Sequence, residues 1–140
     1  MSPTQETDTS TTTRTLRILI AEDDHINQVI AKRMFQKSGY EVEIVSNGLE
    51  VLTAIRQKKY DIIYLDLIMP DLGGFETARR LRMEFKESPE PPWIVALTAM
   101  SLADEFEEYL ESGMDSFISK PYKLEDIRDS INDYLLRKSK

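Results

Sequence analysis

The sequence predicts an α/β fold in which a parallel sheet of five strands carries helices on both faces. Short apolar runs alternate five times with segments whose apolar residues recur at helical spacing, the pattern of repeated βα units. The first, third and fourth runs are almost continuously apolar, as strands covered on both faces must be. The 140 residues, 41% of them hydrophobic and 31% charged, suffice for the core of one such domain.

Five segments are predicted strands because they are short, apolar and bounded by polar or turn residues. They cover residues 16–21, 41–45, 61–66, 93–97 and 115–118. A predicted helix follows each strand, and the apolar positions of these helices are Ile26, Val29, Ile30 and Met34; Val51, Leu52 and Ile55; Phe75, Ala78, Leu81 and Phe85; Leu102, Phe106, Tyr109 and Leu110; and Leu124, Ile127, Ile131, Tyr134 and Leu135.

Turn and capping residues support these boundaries. Ser38-Gly39 and Ser112-Gly113 predict helix ends. Residues 101–104 have the pattern of a capping box and predict a helix start. Three prolines between residues 89 and 92 mark a loop before the fourth strand. We expect the domain to cover residues 15–138, and the Ser/Thr-rich residues 1–14 to form a disordered tail or a linker.

Composition excludes several classes of function. The net charge of -7 argues against nucleic-acid binding by this chain, because a basic face is the usual footprint of such binding. The absence of cysteine excludes disulfides, thiol catalysis and cysteine-ligated zinc, and one histidine cannot form a histidine-rich metal site. No apolar stretch approaches the ~20 residues of a membrane span, and the N-terminus lacks an apolar signal-peptide core. We therefore expect a cytoplasmic protein.

Charged and hydroxyl side chains stand where the predicted strands end. Glu22-Asp23 follows the first strand, Asp66 ends the third, Thr98 follows the fourth, and Lys120 follows the fifth. Right-handed crossovers bring the carboxyl ends of parallel strands to one edge of the sheet, where ligands usually bind. Three crowded carboxylates need a cation or shared protons, and oxygen ligands with open positions suit Mg²⁺. With a hydroxyl group and a lysine nearby, the set is typical of phosphoryl transfer onto a carboxylate.

These residues resemble the receiver domain of response regulators in two-component and phosphorelay signalling. The resemblance extends over about residues 16–137 and rests on Glu22-Asp23, Asp66 with Met69-Pro70 behind it, Gly73-Gly74, Thr98-Ala99, Phe117 and Lys120-Pro121. It implies a flavodoxin-like (βα)5 sandwich of three layers with strand order 2-1-3-4-5.

The resemblance implies that Asp66 accepts a phosphoryl group from a phosphohistidine. It implies that Glu22, Asp23, Asp66 and the backbone carbonyl of Ile68 hold Mg²⁺, with Mn²⁺ able to substitute. The chain would then not be a conventional enzyme, although it would catalyse its own phosphorylation and slow dephosphorylation.

Four further positions take roles from the same resemblance. Thr98 and Lys120 would bind the phosphoryl oxygens. Inward movement of Thr98 and Phe117 would report phosphorylation to the face formed by the fourth helix, fifth strand and fifth helix. The Lys120-Pro121 bond is expected to be cis, which only proline permits at small cost.

Two positions are expected to set the lifetime of the phosphoryl group. In the family these lie two residues after the phosphoacceptor and two after the threonine, and here they are Ile68 and Met100. Neither side chain can hydrogen-bond an attacking water, so we hypothesise a comparatively long-lived phosphoryl group.

The implied partner is a histidine kinase or a histidine-phosphotransfer domain, and no membrane contact is expected. Asn27-Gln28 and residues 117–121 most resemble receivers attached to hybrid sensor histidine kinases, although a stand-alone regulator is the alternative. If the chain is part of such a protein, the parent would be a kinase. The sequence does not decide the oligomeric state; a monomer is favoured.

Two other functions remain open at this point. A degenerate receiver would act only as a docking module independent of phosphorylation. A Mg²⁺-dependent phosphatase of the haloacid dehalogenase type would also use a strand-end aspartate, but such enzymes resemble an Asp-x-Asp pattern, and Ile68 stands at the second acidic position. Asp24 is interpreted as a helix cap and stays outside the metal site.

Overall fold

The computed structural model describes residues 15–99 and 105–138. Five parallel strands form one sheet in the order β2-β1-β3-β4-β5, which confirms the predicted topology. The strands are β1 Ile18–Ala21, β2 Val42–Val45, β3 Ile62–Asp66, β4 Trp93–Thr98 and β5 Ser116–Ser119. The helices are α1 His25–Lys37, α2 Gly48–Ile55, α3 Gly74–Glu84, α4 Phe106–Ser112 and α5 Leu124–Lys138.

The predicted strand boundaries differ from the observed ones by one or two residues. β1 begins at Ile18 rather than Leu16, because the amide of Arg17 donates to the side chain of Asp61 (2.9 Å) instead of entering the ladder. β4 and β5 each extend to the pair formed by Thr98 and Ser119. The prediction of a capping box at residues 101–104 lies outside the described residues, as do those on residues 1–14 and on Met100.

The core consists of two layers, one on each face of the sheet. Alternate residues of a strand enter opposite layers, so Ile18 and Ile20 pack on one face while Leu19 and Ala21 pack on the other. All residues of β1 and β3 are buried. The continuous apolar runs in the sequence therefore arise from strands with no solvent-facing side.

Helix ends follow the predicted capping chemistry. The Asp24 side chain accepts a hydrogen bond from the amide of Ile26 (2.8 Å), which confirms it as the N-cap of α1. Gly113 ends α4 with φ of 84°, and a Cβ there would lie 2.6 Å from Cγ of Arg82. Gly74 begins α3 so close to β3 that a Cβ would lie 2.6 Å from the carbonyl oxygen of Asp66. The close approach at Gly74 sets the path of the chain directly behind Asp66.

One arginine organises the amino-terminal edge of the sheet. Arg82 donates to the carbonyls of Gly113 (2.7 Å) and Pro92 (3.2 Å) and to the carboxylate of Asp115 (2.6 Å). The same carboxylate accepts the amide of Ile94 (2.8 Å) at the start of β4. This network joins α3 to the beginnings of β4 and β5.

Within the described parts of the chain, no helix is long and apolar enough to cross a membrane.

Candidate functional site

Three carboxylates meet at the carboxyl edge of the sheet. Each of Glu22, Asp23 and Asp66 offers an oxygen atom, and these atoms lie within 4.8 Å of one another. Glu22 is 2% exposed and Asp66 is 8% exposed, whereas Asp23 is exposed to solvent. Two carboxylates about 4 Å apart repel by about 4 kcal/mol at an effective dielectric of 20. The cluster therefore needs positive charge close to it.

Lys120 supplies part of that charge. Its Nζ donates to Asp66 Oδ2 at 2.7 Å and to Glu22 Oε1 at 2.9 Å. Burial lowers the pKa of Lys120, but the hydrogen bonds to Asp66 and Glu22 outweigh it, and the net effect raises the pKa. The ammonium group is thus held in its charged form. One formal positive charge still faces three formal negative charges.

Backbone hydrogen bonds fix the two buried carboxylates. Asp66 Oδ1 accepts the amide of Ile68 at 3.1 Å, and Glu22 Oε2 accepts the amide of Asp24 at 3.2 Å. The Gln28 side chain on α1 donates to the carbonyl of Glu22 at 2.6 Å. Sequence reasoning missed this role of Gln28, although the residue lies four positions after the Asp24 cap and therefore on the same face of the helix.

Thr98 lies at the same edge of the sheet. It is 3% exposed and is the last residue of β4. Its carbonyl accepts the amide of Lys120 at 2.6 Å, so the backbone of β4 holds the start of the segment that carries the lysine. The peptide bond between Lys120 and Pro121 is cis.

Two other predicted positions point to solvent. Ile68 follows Asp66 by two positions, and its side chain is 70% exposed. Phe117 is 48% exposed, and its ring meets that of Tyr109 edge-on at 5.9 Å. The structure thus gives Phe117 in an outward position, and Met100 lies in the segment that is not described.

An apolar surface lies next to the acidic cluster. On α1, Ile26, Val29 and Ile30 are 68%, 42% and 48% exposed. A groove continues from Ile30 past Pro121 and Tyr122 to Glu22 and Lys120. Burial and the nearby carboxylates raise the pKa of Tyr122, although Lys120 opposes them. The ring therefore stays a neutral part of the groove wall.

The donor set fits a hard divalent cation. The converging side chains present only carboxylate oxygens, the ligands that Mg²⁺ prefers. The excess of negative over positive charge around Lys120 would be reduced by such an ion. The chain has no cysteine, so no thiolate is available as a ligand.

Known proteins are similar to this chain in sequence and in fold. The sequence matches the family described as "Response regulator receiver domain" over residues 18–132. It is 38% identical over 122 residues to hybrid signal transduction histidine kinase L of Dictyostelium discoideum. This match covers 84% of this chain and 7% of that protein. The chain spans between 7% and 16% of the length of the first histidine kinases that it matches.

Two solved structures are similar in both fold and sequence. One is the Saccharomyces cerevisiae complex of the histidine phosphotransfer protein Ypd1 with the receiver domain of its downstream response regulator Ssk1. The match has a TM-score of 0.79 at 29% identity and covers 86% of this chain and 88% of that one.

The other is the receiver domain of a Pseudomonas aeruginosa sensor histidine kinase with magnesium coordinated in its active-site cleft. The TM-score is 0.75 at 28% identity, and the match covers 86% of this chain and 98% of that one. The family match spans all five strands of the sheet. The chain belongs to the response regulator receiver domains of two-component signalling.

Proposed function

We propose that Asp66 accepts a phosphoryl group from a phosphohistidine on a histidine kinase or a histidine-phosphotransfer domain. The observation that carries this proposal is the bridge that Lys120 makes from Asp66 to Glu22 within a cluster of three carboxylates. A lysine held against the acceptor carboxylate is placed to stabilise charge on a phosphoryl group arriving there.

The transfer exchanges one bond for another. A carboxylate oxygen of Asp66 forms a bond to phosphorus while the bond between phosphorus and the donor imidazole nitrogen breaks. The imidazole leaves with the bonding electron pair and takes a proton from solvent. Lys120 and the hydroxyl of Thr98 hydrogen-bond the transferred oxygens.

Glu22, Asp23, Asp66 and the carbonyl of Ile68 would hold Mg²⁺, or Mn²⁺ in its place. When bound, the ion supplies charge neutralisation for the phosphoryl oxygens. Gln28 supports this set from behind, because it holds the backbone that carries Glu22.

Phosphorylation would change the face formed by α4, β5 and α5. A phosphoryl group on Asp66 competes with Glu22 for the ammonium group of Lys120. Thr98 would turn toward the phosphoryl group, and Phe117 would leave its exposed position and move inward. Phe117 on β5 lies only three residues before Lys120. A movement of Lys120 would therefore be transmitted along this short segment to Phe117.

The phosphoryl group should be long-lived. Ile68 and Met100 offer no hydrogen bond to an attacking water, and the Ile68 side chain stands exposed beside Asp66. Ile68→Asn together with Met100→Gln should shorten the lifetime several-fold. Unchanged hydrolysis would contradict this part of the proposal.

The partner would dock on α1. Its helix would cover Ile26 and Ile30 and the groove at Pro121 and Tyr122, which ends at Asp66's neighbours Glu22 and Lys120. Ile26→Asp should slow transfer from a protein donor but not from a small phosphodonor. Equal slowing of both reactions would count against this docking site.

The same proposal covers the domain limits and the location. Residues 15–138 would form the receiver domain, and residues 1–14 would form a tail or linker. The chain would act in the cytoplasm, where histidine kinases carry the phosphohistidine that donates the phosphoryl group.

A direct experiment tests the proposed acceptor. The chain is incubated with Mg²⁺ and acetyl phosphate, and its intact mass is measured. We expect a gain of one phosphoryl group in the wild type and in Asp71→Asn, an exposed acid outside the cluster, and none in Asp66→Asn. No gain in the wild type would instead favour a docking module, and rapid release of inorganic phosphate would favour a phosphatase.

A further inference from the structure

The three acidic side chains of the cluster are held in unequal ways. Glu22 and Asp66 are buried, and each accepts a hydrogen bond from Lys120 and another from a backbone amide. The side chain of Asp23 is exposed, and no residue in the described part of the chain donates a hydrogen bond to its carboxylate. The position of this carboxylate therefore depends on the backbone that carries it.

The backbone next to Asp23 is fixed by a side chain of α1. The carbonyl of Glu22 belongs to the peptide that joins Glu22 to Asp23, and it accepts a hydrogen bond from Nε2 of Gln28 at 2.6 Å. On the other side of Glu22, its amide donates to the carbonyl of Val45 at 3.0 Å. These two bonds hold both peptide groups of Glu22, and the bond from Gln28 orients the peptide that leads into Asp23.

A second contact holds the Gln28 side chain in this position. Its Nε2 also donates to Oγ of Ser46 at 3.3 Å, in the loop between β2 and α2. Ser46 is fixed in turn, because its amide donates at 2.6 Å to Oε1 of Glu50, which lies in the first turn of α2. The side-chain amide of glutamine has two hydrogens, and each acceptor takes one of them. Gln28 thus connects α1, the backbone before Asp23 and the start of α2.

A bound Mg²⁺ would be sensitive to the position of Asp23. The oxygen atoms of the three carboxylates lie within 4.8 Å of one another, and Asp23 is the exposed member. Mg²⁺ requires ligands at about 2.0–2.1 Å in nearly octahedral geometry. A rotation of the peptide that precedes Asp23 displaces its carboxylate, whereas Lys120 keeps the other two in place. The hydrogen bond from Gln28 therefore acts on the carboxylate with the fewest restraints of its own.

We propose that Gln28 is a positioning residue that sets the Mg²⁺ affinity of the cluster by holding the peptide before Asp23. This inference rests on the proposed Mg²⁺ site and extends it to a side chain that contacts neither the ion nor the phosphoryl group. Outer groups that orient metal ligands typically contribute roughly 10- to 100-fold to metal affinity. The transfer step takes place at Asp66, so its rate at saturating Mg²⁺ does not depend on Gln28.

Gln28→Met tests this role, because methionine keeps the length and the helix propensity of glutamine but has no donor. The isotope-labelled full chain is titrated with MgCl₂, and the dissociation constant is obtained from the amide resonances of residues 22–24 and 66–68. We expect the affinity to fall about tenfold in Gln28→Met. Ser46→Ala removes only the longer contact of Gln28, and we expect a loss of about twofold.

A matched control and a rate measurement separate positioning from other effects. Gln36→Met makes the same change at an exposed position about two turns further along α1 and should leave the Mg²⁺ affinity unchanged. Phosphorylation by acetyl phosphate is then followed over a range of Mg²⁺ concentrations. In Gln28→Met, the Mg²⁺ concentration at half-maximal rate should rise about tenfold. The rate at saturating Mg²⁺ should stay within about twofold of the wild type.

Several results would overturn the proposal. They are equal Mg²⁺ affinities in Gln28→Met and Gln36→Met, or a lower rate in Gln28→Met that saturating Mg²⁺ does not restore. Urea unfolding with a chelator present shows whether each variant folds, and lower stability with unchanged Mg²⁺ affinity would mean that Gln28 serves the fold alone. If Gln28→Met does not fold, an unchanged affinity in Ser46→Ala overturns the proposal. A wild type that binds no Mg²⁺ would contradict the proposed metal site as well, whereas unchanged affinity in Gln28→Met contradicts only the role of Gln28.

Discussion

The two edges of the sheet use charge in opposite ways. At the amino-terminal edge, the Asp115 carboxylate is matched by the Arg82 guanidinium at 2.6 Å and by the amide of Ile94 at 2.8 Å. At the carboxyl edge, the one ammonium group of Lys120 faces the carboxylates of Glu22, Asp23 and Asp66. The first arrangement is paired and stabilises the fold, whereas the second keeps an excess of negative charge that a bound cation would reduce.

The difference explains why the edges respond differently to mutation. Loss of a group from a satisfied network leaves its partners unpaired and costs stability. Loss of a group from a crowded set of like charges relieves repulsion and can increase stability while function is lost.

Mg²⁺ should stabilise the protein through the carboxyl edge alone. At a hundred times its dissociation constant, a ligand specific for the folded state raises the free energy of unfolding by about 2.7 kcal/mol. Urea titrations with and without Mg²⁺ should show this increase in the wild type and in Asp71→Asn, and little of it in Asp23→Asn. The same increase in Asp23→Asn would remove that residue from the metal site.

Asp115→Ala should destabilise the amino-terminal edge. It leaves the Ile94 amide and one nitrogen of the Arg82 guanidinium without their acceptor, while Arg82 keeps the carbonyls of Gly113 and Pro92. We expect the free energy of unfolding to fall by about 2 kcal/mol. Chemical denaturation measures the loss, and acetyl phosphate should still phosphorylate the folded variant. An exposed control, Glu87→Ala, should change stability by less than about 0.5 kcal/mol.

Asp66→Asn should change the free energy of unfolding in the opposite direction and stabilise the protein. Without divalent ions it removes one of three crowded negative charges while Lys120 keeps its contact with Glu22, so the free energy of unfolding should rise by about 1 kcal/mol. Denaturation in the presence of a chelator measures it. A variant less stable than the wild type would show that the Lys120 contact outweighs the repulsion.

A small pH effect is expected from a paired acid at the amino-terminal side of the sheet. Hydrogen bonds from Lys58 and then Tyr60 lower the pKa of Glu43. A carboxyl group with a lowered folded-state pKa contributes stability above its ordinary value of 4.5, and that contribution is lost as the pH falls through the folded-state pKa.

Glu43→Gln should therefore cost slightly more stability at about pH 6 than at about pH 3.5. The effect is small because the Lys58 and Glu43 side chains are about half exposed. Equal costs at both pH values would show that the ion pair contributes nothing. Burial and Glu43 also raise the pKa of Tyr60 to about 12, so Tyr60 remains neutral throughout this range.

The sequence predicts the carboxyl edge better than the amino-terminal edge, for a physical reason. Asp66 ends β3, and Glu22 and Lys120 directly follow β1 and β5. The topology of parallel strands brings such positions together. Arg82 carries no comparable signal. It stands beside Arg79 and Arg80 on α3, and its partners, Pro92, Gly113 and Asp115, are 10 to 33 residues away. Their proximity depends on how loops pack.

The sequence also does not predict the orientation of single side chains. Gln28 could be placed on α1, but not against the carbonyl of Glu22. Phe117 is predicted at a switch position, but its outward orientation, with its ring edge-on to that of Tyr109 on α4, depends on tertiary packing. β1 also begins later than predicted, because the Arg17 amide donates to the Asp61 side chain and not to a neighbouring strand.

Locating the phosphoryl group shows whether Asp66 is the acceptor. After incubation with Mg²⁺ and acetyl phosphate, the chain is cleaved into peptides and the modified residue is assigned by fragmentation mass spectrometry. We expect one phosphoryl group on Asp66, in the peptide that contains β3. A phosphoryl group on any other residue, or an unmodified Asp66 in the folded protein, would contradict it.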